Sequence, residues 1–136
     1  MVRIIQENSA PTDTIFTYPE FSIFYSLAHR MPATFSGSHN LDLVPDAFAR
    51  QEAARLLAHP PAVIVYGSES DIFFIGQEVL WRNGMPSGQR AILAAINSLK
   101  VHYRLAEKYQ PYGRSGYWYV YVRPKDWPAS TLGQAF

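Results

Sequence analysis

Three carboxylates and three hydroxyls of this chain stand where a ligand could reach them. Tyr18 closes the run Thr14-Ile15-Phe16-Thr17-Tyr18 and Glu20 follows it; Ser36 closes Ala33-Thr34-Phe35-Ser36; Ser68, Glu69 and Asp71 follow Ala62-Val63-Ile64-Val65-Tyr66. Each run is rich in β-branched or aromatic residues and reads as a strand. In open α/β sheets, ligands bind outside the carboxyl ends of the strands. These six residues are therefore the candidate ligand-binding set, offering carboxylate acceptors and hydroxyl groups that both donate and accept.

Sharper chemistries fail on spacing. A dinucleotide site needs a glycine-rich turn so that backbone can approach pyrophosphate. Here the first strand runs into Tyr18-Pro19-Glu20-Phe21, and the third into Gly67-Ser68-Glu69-Ser70-Asp71, with one glycine and two acids. A serine nucleophile on a strand-to-helix turn would carry Gly-x-Ser-x-Gly, and neither Ser68 nor Ser36 has that frame. Ser68, Asp71 and one of the four histidines could meet in space, but a triad is defined by geometry, so a structural polar loop is the better reading. His29, His39, His59 and His102 are scattered without metal-ligand spacing. His29 and His59 each end an expected helix, where a cationic ring suits the dipole. No catalytic residue, metal ligand or cofactor site is assigned.

The elements that must position the six candidates follow from periodicity. Val2, Ile4 and Ile5 read as the last turns of a helix whose start is missing, and Asn8-Ser9-Ala10-Pro11 breaks it. After the first strand, Pro19 and Glu20 suit the first turn of a helix, in which Phe21, Phe24, Tyr25 and Ala28 share a face before Pro32. A second short strand at Ala33 to Ser36 and a polar loop from Gly37 to Asn40 come next. A helix opening at Pro45-Asp46 faces inward with Ala49, Ala53, Leu56 and Leu57, leaving Arg50, Gln51, Glu52 and Arg55 in water. Pro60-Pro61 stops it. Ala62 to Tyr66 is continuously apolar, the pattern of a strand buried on both faces. A turn then leads into a helix over Ile72 to Trp81, a loop over Arg82 to Gly88, and a helix with Ile92, Ala95, Ile96 and Leu99 on one stripe.

Tyr103 to Tyr109 and Tyr117 to Arg123 read as two strands joined by a short turn, hence an antiparallel hairpin. Tyr117 to Val122 carries large side chains on both faces and belongs inside the sheet. The aromatic residues Tyr103, Tyr109, Tyr112, Tyr117, Trp118, Tyr119 and Tyr121 crowd this hairpin. Such rings can stack on sugars or sit at a membrane interface, but packing within a sheet accounts for most of them. The expected fold is α/β: a Rossmann-like three-layer sandwich, its sheet mostly parallel with a C-terminal antiparallel hairpin. Residues 1–128 form one domain, with 1–9 the end of the truncated helix and 129–136 a tail.

Composition bounds the rest. One domain of 136 residues can build a core without staples, and the absence of cysteine excludes disulfides and thiolate chemistry. Twelve Lys and Arg against eleven Asp and Glu leave no cationic excess for nucleic acid or for a polybasic membrane patch. No apolar run reaches the length of a transmembrane span, so the chain as it stands is expected to be soluble.

The order of certain residues resembles a known family. Ile5-Gln6-Glu7-Asn8, Asp13-Thr14-Ile15-Phe16-Thr17, Phe24-Tyr25-Ser26-Leu27-Ala28-His29-Arg30-Met31-Pro32-Ala33-Thr34, the step Leu56-Leu57-Ala58-His59-Pro60-Pro61-Ala62-Val63-Ile64-Val65 and the closing aromatic strand Tyr117 to Arg123 carry it. Together they resemble the soluble carboxyl-terminal domain of polytopic membrane glycosyltransferases of the GT-C architecture, similar to protein mannosyltransferases and lipid A aminoarabinose transferases. The resemblance implies a domain on the extracytoplasmic, periplasmic face of a bacterial inner membrane. The parent enzyme would transfer a sugar from a polyprenyl-phosphate donor to a lipid or protein acceptor. In that family the catalytic carboxylates lie in loops between early membrane helices, and no position here corresponds to them. The implied partners are the membrane-embedded remainder of the same polypeptide and a glycan or lipid-linked acceptor, with no nucleic acid. Two other classes stay open: a cytoplasmic small-molecule-binding or enzymatic α/β domain, and a protein-interaction module without a ligand.

Overall fold

The computed structural model describes residues 1–39, 44–113 and 115–127, and for residues 70 and 71 the backbone alone. The expected tail at 129–136 lies outside the described residues, as do Asn40 and Arg114 in two of the expected loops. In chain order the elements are α1 (Val2–Glu7), β1 (Thr14–Tyr18), α2 (Ile23–Ala28), β2 (Met31–Pro32), α3 (Asp46–Ala58), β3 (Val63–Gly67), α4 (Ser70–Arg82), α5 (Gln89–Lys100), β4 (Arg104–Tyr109) and β5 (Trp118–Val122). The strands form one sheet in the order β2-β1-β3-β5-β4.

The fold is α/β with a mixed five-stranded sheet, and its last two strands form the expected antiparallel hairpin. β1 runs parallel to β2 and β3, whereas β5 is antiparallel to both β3 and β4. The mixed pairing has a physical origin in β5. With apolar or aromatic side chains on both faces, it inserts beside β3, Val63 opposite Val122 and Gly67 opposite Trp118, and so makes two antiparallel pairs. The outer strand β4 is left with exposed Arg104, Glu107 and Lys108, charges that discourage pairing with another edge. Its register shifts between Leu105 and Glu107, the mark of a bulge.

Each face of the sheet is covered. Phe16, Tyr18, Ile64 and Tyr66 pack on Ala49, Ala53 and Leu56 of α3 and on Ile92, Ala95, Ile96 and Leu99 of α5. On the other face Ile15, Val63, Val65, Val120 and Val122 meet Ile5 of α1 and Phe24, Tyr25 and Ala28 of α2. Burying each such aliphatic or aromatic side chain stabilises by about 1.5–3 kcal/mol, so these two clusters hold the fold. Two tethers fix the entry to β3: the Tyr103 hydroxyl donates to Pro61 O at 2.6 Å and Arg123 Nη1 donates to Pro60 O at 2.6 Å. Among the described residues no helix is long and apolar enough to cross a membrane.

Three local readings change. The chain bends through residues 19–22, so α2 begins at Ile23 and Pro19 is not in its first turn; the Tyr18–Pro19 bond is cis. The second strand lies at Met31–Pro32, two residues early. Beyond it Ala33 N–H still donates to Ile15 O at 2.9 Å, but the Thr34 hydroxyl turns to Ser36 O and the Ser36 hydroxyl to Ser38 O. Hydroxyl bonds of this kind compete with strand pairing. Glu52, expected in water, is fully buried, because its Oε2 accepts the Ser36 N–H at 3.1 Å where the 33–39 segment crosses α3. Its spacing placed it there: Ala49, Glu52, Ala53 and Leu56 form a single i, i+3, i+4, i+7 stripe.

Candidate functional site

The chain leaves the carboxyl ends of the parallel neighbours β1 and β3 side by side, since Tyr18 pairs with Tyr66. From β1 it turns through Pro19, Glu20, Phe21 and Ser22; from β3 it passes Gly67, Ser68 and Glu69 into α4. The third wall is the start of β5, brought there because an antiparallel strand must begin where its parallel-sheet neighbour ends. Between these walls lies an open cleft of about 470 Å³, lined by Glu20, Ser22, Ser68, Glu69, Phe21, Phe73, Tyr117 and Trp118 among others.

Hydrogen bonds hold the polar wall in place. Ser68 N–H donates to Tyr117 O at 2.8 Å, and Tyr117 N–H donates to Ser68 Oγ at 2.8 Å. The Ser68 hydroxyl thus accepts from the backbone and keeps its own hydrogen for donation. Glu69 Oε1 accepts from the Ser115 hydroxyl at 2.8 Å, which leaves acceptor capacity on the carboxylate. Gly116 permits this approach, because a Cβ there would collide with the Glu69 side chain. The aromatic wall is similarly braced. Trp118 lies 4.2 Å from Phe21 between ring centroids and meets Phe24 edge-on at 5.6 Å.

Of the six sequence candidates the structure gathers Glu20, Ser68 and Glu69 in the cleft. Tyr18 is 1% exposed and stacks between Tyr66 and His39 on the face covered by α3 and α5. Ser36 stands with Glu52 and does not line the cleft. Asp71 is in the first turn of α4, and its side chain lies outside the described residues. Ser22, Phe21, Phe73 and Trp118 were not anticipated as lining residues. For Trp118 a signal existed, since the hairpin sets the start of β5 against the end of β3.

Among the described residues no cationic side chain lines the cleft, whereas two carboxylates do. Its carboxylates offer acceptors to hydroxyl or amine hydrogens beside half-buried Phe21, Tyr117 and Trp118 and exposed Phe73, while Lys108 Nζ stands 4.1 Å from the Tyr117 ring centroid. Among the described residues no group of three or more His, Asp or Glu could hold a metal ion.

A second, wider groove of about 640 Å³ lies at the opposite end of the sheet, lined by Glu7, Asp13, Arg104, Arg123 and Lys125. Its Arg123 is engaged with Asp13 at 3.6 Å and with Pro60 O, so it braces the fold. Fold and site thus define a mixed α/β domain with an acidic, aromatic cleft at the carboxyl ends of its parallel strands. Comparison with family models, with curated proteins and with solved structures finds no match.

Proposed function

We propose that this chain is a non-catalytic, glycan-binding domain of a membrane glycosyltransferase of the GT-C type, standing on the extracytoplasmic face of the bacterial inner membrane. The observation that carries the reading is the cleft, which Glu20, Glu69 and Ser68 line together with Phe21, Phe73 and Trp118. Carboxylates accept from sugar hydroxyls and rings pack on the apolar face of a pyranose, the division of labour a glycan requires. The two carboxylates that line it favour the sugar portion of an acceptor over the phosphate of a donor. The residue order quoted above supports the family, and on this reading the parallel half, β2-β1-β3, is the Rossmann-like unit. The polyprenyl-phosphate donor would be handled by the membrane-embedded remainder of the polypeptide.

The test is a titration of the ¹⁵N-labelled chain with neutral oligosaccharides and, separately, with a sugar phosphate and a polyprenyl phosphate. Amide shifts gathered at Glu20, Ser68 and Glu69 and at the Trp118 indole, saturating with the neutral sugar and weakened at least tenfold in Glu69→Gln, are the expected result. A chain silent toward all neutral sugars, or one answering only to phosphate, contradicts it.

A further inference from the structure

Helix α4 is packed with its polar side inward. Glu78, with its side chain 2% exposed, accepts three hydrogen bonds from Arg90, Nη2 to Oε2 at 2.6 Å and Nε to Oε1 at 3.0 Å and to Oε2 at 3.2 Å. The same Oε1 accepts the Ser87 N–H at 2.9 Å. Phe74 is the large apolar side chain of this helix that is buried beside Glu78. At 100° per residue, Ile75, Val79, Ile72, Gly76, Leu80 and Phe73 then fill an outward arc of about 160°. That arc is uncharged, and Ile72 and Leu80 are 80% and 76% exposed.

The arrangement within the arc is symmetric. Gly76 is the middle residue of Ser70–Arg82. Phe73 and Val79 lie three residues to either side of it, and Ile72 and Leu80 four residues to either side. A two-fold axis through Gly76 would bring Phe73 of one copy against Val79 of another and Ile72 against Leu80. This is the self-complementarity an isologous contact demands. Glycine in a helix interior costs roughly what alanine would save, and a Cβ at Gly76 would meet nothing within 4 Å, so the fold of one copy gives no reason for it. Close approach of a second helix backbone does.

We propose that α4 is a self-association surface on which two copies of this chain pair as antiparallel helices crossing at Gly76. Ile72, Phe73, Ile75, Val79 and Leu80 on the arc, with Trp81 at its flank and Met85 just beyond the helix, are each about half exposed or more, a contiguous apolar patch on the order of the several hundred Å² that marks an interaction surface and approaching the ~800 Å² per partner of a stable interface. Charge does not oppose the pairing. The chain carries a net charge of +1, and Arg82 at the end of the helix is held by Asp46 through two 2.7 Å bonds. Antiparallel helices also set opposite dipole ends together. Of the arc's side chains Phe73 also lines the cleft, whereas Ile72, Ile75, Gly76, Val79 and Leu80 do not, so variants at Ile72, Gly76 and Leu80 test the pairing apart from what the cleft binds.

Analytical ultracentrifugation of the 136-residue chain from ~5 to ~500 μM tests it, a range that spans dissociation constants expected of such an interface. A reversible dimer is expected, weakened at least ~100-fold by Leu80→Glu and by Ile72→Glu, both at exposed positions where the far-UV circular dichroism should be unchanged. Gly76→Leu should weaken the dimer at least ~10-fold, while Gly76→Ala raises the thermal midpoint of the monomer. A chain that stays monomeric throughout the range, or a dimer indifferent to the folded Leu80→Glu and Gly76→Leu variants, overturns the proposal. So does a monomer that floats with phosphatidylcholine vesicles and loses that binding in Leu80→Glu, which would assign the face to a bilayer.

Discussion

Helices α4 and α5 are consecutive, of similar length and both amphipathic, yet they are mounted in opposite senses. α5 buries Ile92, Ala95, Ile96 and Leu99 against the sheet and leaves Arg90 and Ser98 to the solvent. α4 turns Ile72, Ile75, Val79 and Leu80 outward and anchors itself through Glu78. Amphipathic spacing defines a stripe but not the direction in which it faces. In α4 the direction is set by a carboxylate that accepts from Arg90, from Ser87 N–H and from the Ser87 hydroxyl, all from the loop and first turn of α5. A buried acceptor of that kind cannot be turned to the surface without stranding the donors it satisfies.

The contrast can be broken by substitution. Ile96→Ala in α5 removes a fully buried side chain and should cost about 2–5 kcal/mol in urea unfolding, the range for such cavities. Acid should sharpen the difference next. His39, on the sheet face that α3 and α5 cover, lies 5.1 Å from Phe16 and 5.8 Å from Tyr18 between ring centroids, and burial lowers its pKa from 6.5 to about 4. The unfolded chain binds the proton first, so this contribution is intact above pH 6.5 and declines as pH falls toward 4, by up to about 3 kcal/mol. His39→Phe should flatten that limb of the pH–stability curve. The anchor of α4 responds lower. Hydrogen bonds from Arg90 hold the Glu78 carboxyl down at about 2, so its stabilisation is present above pH 4.5 and is lost only as pH falls toward 2.

Smaller effects isolate the anchor from the stripe. Glu78→Ala strands the buried Ser87 N–H and should cost about 1–3 kcal/mol, measured by urea unfolding at pH 7. Leu80→Ala, on the exposed stripe, should change the stability of the isolated monomer by less than about 0.5 kcal/mol, despite deleting a side chain as large as that of Ile96.

Where a local pattern had one solution, the residues announced it. Thr14 to Tyr18 forms β1 over the expected span, and the apolar run before Gly67 becomes β3 in the middle of the sheet. The hairpin places β5 inside the sheet, as its two-sided bulk requires. What escaped depends on distant partners. Glu52 shares the buried stripe of α3, but nothing nearby in sequence says that Ser36 will need its oxygen. The outward stripe of α4 follows from Glu78 meeting Ser87 and Arg90, a contact across a loop. In the cleft, Glu20, Ser68 and Glu69 were reachable from the rule about strand ends, whereas Phe73 and Trp118 arrive through α4 and β5. Tyr18 shows the limit of that rule, because position at a strand end does not say on which side of the sheet a side chain lies.

Amide hydrogen exchange followed at ~5 and ~500 μM protein compares the two helices in one experiment. Protection along Ile72 to Leu80 should rise with concentration while that along Ile92 to Leu99 stays the same. Protection of α4 that does not depend on concentration, or that changes in step with α5, would contradict the assignment of the outward stripe to a second copy of the chain.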